Sequence, residues 1–127
     1  MKKLIFTLLL TFITSLSIAQ DIYLRSKEIL IGKRIDGKLE LIESNPSNVL
    51  IELGNNKLTI FTKDKQTYRA ISKKIVNDNK VVWYCLNSDG LTCNVYVIFD
   101  EETLSEYDWK IAVEFSDYSW AYICKME

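Results

Sequence analysis

Cys85 and Cys93 flank the turn Asn87-Ser88-Asp89-Gly90 within VVWYCLNSDGLTCNVYVIF, residues 81–99, and a third cysteine, Cys124, follows near the end of the sequence. The spacing of the first two is not that of a zinc finger, and the chain has no histidine to complete such a site. In an oxidising compartment, two cysteines facing each other across a tight turn pair with one another. The expected disulfide is therefore Cys85–Cys93, which leaves Cys124 as a thiol in an apolar run; Cys93–Cys124 is the alternative. The missing histidine also removes Ser-His-Asp and Cys-His mechanisms. For Cys124 to act as a nucleophile it would need a depressed pKa and a neighbouring base, so core packing is the simpler reading.

Asp100, Glu101, Glu102, Glu106 and Asp108 form an acidic cluster. It lacks the alternating order of a calcium loop and reads as a solvated helix start with Asp100 as N-cap. No metal and no cofactor is expected. A basic run, Lys63, Lys65, Arg69, Lys73 and Lys74 around Tyr68, has the make-up of a strand face that could follow single-stranded nucleic acid. The whole chain carries 16 basic against 17 acidic residues, however, and Lys2 and Lys3 belong to a leader. That balance excludes nucleic acid as the expected partner and makes the basic run a solvated face.

Aromatic residues crowd the second half of the chain. Trp83, Phe99, Phe115, Trp120 and Tyr122 fall on core faces of the strands described below. Tyr84 and Tyr96 fall on the opposite face, and Tyr107 and Tyr118 in loops. Exposed tyrosines give contact area at little entropic cost, so Tyr84, Tyr96, Tyr107 and Tyr118 are the candidate binding residues.

The elements that must position these groups read as consecutive hairpins. In the central one, Gly90 supplies the left-handed residue of a three-residue loop. This register sets Cys85 against Cys93, Trp83 against Val95 and Val81 against Val97. Ile22–Leu24 starts a strand, and Glu28–Ile35 and Lys38–Ile42 flank Asp36-Gly37, a strong signal for a type I′ turn. Glu43–Asn48, with the chain's one proline, reads as a loop. Val49–Leu53 and Leu58–Lys63 pair about Asn55-Asn56, setting Leu53 against Leu58 and Ile51 against Ile60. Thr67–Ile75 is a further strand, and residues 100–107 a short helix or helical turn. Trp109–Phe115 and Ser119–Cys124 close the series through a four-residue loop that sets Phe115 against Trp120 and Val113 against Tyr122.

About eight antiparallel strands in one all-β domain, residues 20–127, make a small barrel or sandwich. Residues 1–19 are set apart. Lys2 and Lys3, an apolar run from Leu4 to Thr14 and Ser17-Ile18-Ala19 have the order of a secretory signal cleaved after Ala19. The run is shorter than the ~20 residues that span a bilayer, and no later stretch of the mature chain is a span. The expectation is a secreted or periplasmic protein. Its function is expected to be non-enzymatic binding of a protein, a glycan or a small apolar ligand through the aromatic C-terminal half. A small secreted inhibitor or envelope structural component is the second reading, and an enzyme using paired carboxylates or Cys124 the third.

Overall fold

A computed structural model of the chain describes residues 21–99 and 108–127. The expected signal at 1–19, the helical turn near 100–107, the acidic cluster up to Glu106 and Tyr107 lie outside the described residues. Among the described residues nine strands follow in order: β1 (Ile22–Ile35), β2 (Lys38–Pro46), β3 (Leu50–Leu53), β4 (Lys57–Ile60), β5 (Gln66–Asn77), β6 (Lys80–Asn87), β7 (Thr92–Ile98), β8 (Asp108–Glu114) and β9 (Tyr118–Met126). All pairings are antiparallel. β9 returns to pair with β1 from Leu24 to Lys33, so β1 and β3–β9 form a closed eight-stranded barrel, with β2 as an additional strand.

One edge of β1 serves two neighbours. Ile22–Arg25 pairs with β3, and Glu28–Ile35 pairs with β2. Ser26 manages the changeover. Its backbone N–H donates to the Val49 carbonyl (2.9 Å), its hydroxyl accepts from the Val49 N–H (2.7 Å), and it shares a hydrogen bond with the Ser47 hydroxyl (2.8 Å). These bonds offset the desolvation of a side chain that is buried in the barrel wall.

The turns and the apolar alternation fix most of the register. Asp36 and Gly37 both have positive φ, 52° and 80°, as a type I′ turn requires. Gly90 is left-handed at 83°, and the central hairpin pairs Val81 with Val97, Trp83 with Val95 and Cys85 with Cys93 as expected. Ile51 meets Ile60 and Leu53 meets Leu58, also as expected.

Three expectations need correction. Glu43–Pro46 is not loop but the end of β2, with Pro46 opposite Glu28. Among the described residues β2 pairs only with β1, so its outer edge can carry a residue that lacks an N–H. In the last hairpin the pairs are Val113–Trp120 and Ile111–Tyr122, displaced by two residues from expectation. Phe115 N–H bonds the Tyr118 carbonyl (2.9 Å), which leaves Ser116-Asp117 as a two-residue turn. A displacement of two keeps every side chain on its face.

The third correction concerns the cysteines. None forms a disulfide; Cys85, Cys93 and Cys124 are buried thiols. Asn87 N–H bonds the Leu91 carbonyl (2.8 Å), and the alternation of the ladder then makes Cys85–Cys93 a hydrogen-bonded pair as well. Facing side chains lie further apart at such a pair than at the narrow, non-bonded one. Cys124 stands opposite Trp109, towards the other end of the barrel from Cys93, so the alternative pairing is not made either.

The inward faces of the barrel strands fill its interior. Leu24, Ile51, Leu58, Ile60, Trp83, Val95, Ile111 and Val113 are 0% exposed, so no space the size of a water molecule adjoins them. Phe99 meets Trp109 edge to face at 5.5 Å. An apolar, filled lumen is the reverse of the polar one that a membrane-spanning barrel carries.

Candidate functional site

Three chain reversals meet at one end of the barrel: the loop 61–65 after β4, the turn 88–90 after β6, and Ser116-Asp117 after β8. They frame an open cleft of about 430 Å³ above the filled interior. Each side of it follows from the local sequence.

The wall comes from the β8–β9 hairpin. Tyr118 and Trp120 alternate onto the inner face of β9, and the two-residue turn brings Phe115 back beside both. The Phe115 and Tyr118 rings lie 5.4 Å apart at 24°, Tyr118 and Trp120 5.6 Å apart at 20°, and Phe115 and Trp120 5.6 Å apart at 33°. Phe115 and Trp120 thus each stack on Tyr118 and tilt against one another, making one aromatic cluster at one side of the mouth. Trp120 Nε1 is buried with no hydrogen-bond partner, a donor left unsatisfied inside the wall.

The floor is polar but ordered. Tyr68 is buried, and its hydroxyl donates to Gln66 Oε1 at 2.7 Å. The Gln66 amide donates to Thr62 Oγ1 (3.3 Å), and the Thr62 hydroxyl to the Asp64 carbonyl (2.9 Å). This relay ties loop 61–65 to the core. Burial raises the pKa of both Tyr68 and Tyr122 above the ordinary phenol value, so the two hydroxyls stay protonated.

The rim is built by turn chemistry. Asn87 Oδ1 accepts the N–H groups of Asp89 (3.0 Å) and Leu91 (2.9 Å), and the Gly90 N–H donates to the Asn87 carbonyl (3.1 Å). Ser88 and Asp89 are held at the opening and line it together with Asp64 and Lys65 of the neighbouring loop.

Below the floor the thiols offer little reactivity. Burial, with Cys93 as a neighbour, pushes Cys85 up to about 12, and burial pushes Cys93 up to about 11. A thiol held so far above neutrality is a poor nucleophile. Among the described residues, no group of three or more Cys, Asp or Glu side chains is placed to hold a metal ion.

The structure separates the expected tyrosines. Tyr118 is 47% exposed at the mouth and is the first residue of β9 rather than a loop residue. Tyr84 and Tyr96 lie on the outer wall, on β6 and β7, away from the cleft. Tyr84 is exposed, whereas Tyr96 is half-buried, with the Lys80 ammonium 4.7 Å from its ring centre. Phe115 and Trp120, expected on core faces, do pack against the core, and their partly buried rings also form most of the wall. Sequence alone does not join Gln66, Tyr68, Asn87 and Asp89 into one site, because three reversals distant in sequence must converge to do so. The available signal was the Phe-Ser-Asp-Tyr-Ser-Trp run at 115–120, read with a two-residue turn.

No protein-family profile matches the chain, and neither a curated protein nor a solved structure is significantly similar to it.

Proposed function

We propose that the protein is an exported, non-enzymatic binding module that holds a carbohydrate in the barrel-mouth cleft. The observation that carries this reading is the stacked cluster of Phe115, Tyr118 and Trp120, with Tyr118 exposed at the opening, beside a rim of carboxylates and amides. The C–H face of a sugar ring packs on flat aromatic surface, while its hydroxyls need hydrogen-bond partners at the edge. Asp64, Asn87, Ser88 and Asp89 offer both donors and acceptors there. The filled interior argues against a purely apolar ligand, which would call for a dry cavity. Export rests on the order of residues 1–19.

The test is titration with soluble hexaoses of the cello-, chito-, xylo- and malto- series, followed by intrinsic tryptophan fluorescence and calorimetry. At least one series should bind and perturb Trp120, and Tyr118→Ala should weaken that binding at least tenfold while the thermal midpoint moves little. Absence of binding across all four series, or binding indifferent to Tyr118, would sink the proposal.

A further inference from the structure

Outward residues of β7, β8, β9, β1 and β2 lie outside the core cluster, and they differ from those of β3, β4 and the start of β5. Outward positions on β3, β4 and the start of β5 carry Glu52, Lys57 and Arg69. On this other face, Tyr96, Ala112, Ala121 and Leu30 stand side by side in one row across four strands. Beside that row, β2 leans over β1 at Gly32, where a Cβ would come within 3.0 Å of Ser119 Oγ and 3.2 Å of the Glu40 carbonyl. The result is an apolar groove of about 310 Å³ edged by Leu39 and Leu41, which are 40% and 63% exposed. An exposed apolar surface of this kind marks a contact.

The charges on the face identify the occupant. Glu28 is bonded to Ser44, and Arg34 to the carbonyls of Ser116 and Gly37. Lys110 makes no salt bridge or hydrogen bond among the described residues, and Glu114 receives only a 3.4 Å bond from Tyr96. Both project outward from β8, four residues or roughly 13 Å apart, with Ala112 midway. A two-fold axis lying in the contact plane, perpendicular to β8 and passing over Ala112, sets the second copy's β8 opposite it and antiparallel. Lys110 then faces the partner's Glu114 twice over, and the small side chains of Ala112 and Ala121 meet their own copies. Sheets packed face to face lie ~10 Å apart, a gap that a lysine and a glutamate span together.

We infer that this face closes on a second copy of the chain, giving an isologous dimer whose register is set by Lys110 and Glu114. The inference is independent of what the mouth binds, because the groove opens on the side wall.

Sedimentation equilibrium of the purified protein should show a dimer in the micromolar range. Lys110→Glu and Glu114→Lys should each weaken self-association at least tenfold by setting like charges opposite one another. An equimolar mixture of the two variants should recover the dimer, since every facing pair is then opposite in sign. Leu41→Ser, at an exposed position, should weaken the dimer without shifting the thermal midpoint measured on dilute monomer. A wild-type monomer at several hundred micromolar would overturn the inference. So would a dimer indifferent to both charge variants, or a mixture no tighter than its parts.

Discussion

The interior of the barrel and its mouth are lined by the same kinds of side chain, arranged on the same ladder, with opposite consequences. In the interior, Trp83 and Trp109 have at most 1% of their surface exposed, and they serve as filling. Two and three inward rows beyond Trp109 along β8–β9, Trp120 and Tyr118 continue the same alternation but run out of opposing strand. β4 has ended at Ile60 and the chain has gone into loop 61–65. Aromatic content therefore does not mark a site by itself. The level at which a ring sits relative to the ends of the neighbouring strands decides between packing and recognition.

Three measurements test that contrast. The largest effect is expected in the interior: Trp83→Ala should destabilise by roughly 3–5 kcal/mol, read as a lowered urea midpoint, because it leaves a cavity that a closed barrel wall cannot fill. A loss under 1 kcal/mol would mean that the interior is not packed as described.

Alkaline titration comes next. The folded thiols of Cys85 and Cys93, raised to about 12 and about 11 from the ordinary 9.0, hold their protons more tightly than in the unfolded chain. Their contribution is fully present below pH 9 and is lost as pH climbs through 11 and 12, and raised Tyr68 and Tyr122 act in the same direction. Stability should fall above pH 9 by up to about 1.4 kcal/mol per pH unit for each titrating group. Replacing both cysteines with alanine should flatten that slope, and an unchanged slope would show that the thiols do not contribute. The smallest effect belongs to the mouth: Tyr118→Ala should cost no more than about 1 kcal/mol, the worth of a ring contact at an exposed site. A larger loss would make the wall a part of the core.

What the sequence showed, and what it hid, follows the same division. The central hairpin was legible because Gly90 admits one loop length and the alternation of Val81, Trp83 and Cys85 admits one face. The last hairpin was legible in its faces but not in its pairing. Moving Trp120 from Phe115 to Val113 leaves the alternation unchanged, and only the Phe115–Tyr118 backbone bond distinguishes the two registers. Composition suggested a loop at Glu43–Pro46, since no local signal says that the far side of that strand lacks a neighbour. Of the cleft, only Tyr118 is a binding candidate from sequence. Gln66, Asn87 and Phe115 belong to segments that share a site only once the barrel closes.

The seam between β1 and β9 carries a consequence for how the chain reaches this state. Arg25 and Glu127, bonded across it, are 102 residues apart in sequence, whereas the central hairpin closes over a handful. Each hairpin can form early and alone, but the circle cannot be completed until the last strand has been delivered. Folding should therefore belong to the slow, high-contact-order class. Until β9 arrives, the inner row of β1 and its unpaired backbone stand open to other chains, and this is the interval in which a holding chaperone would matter most.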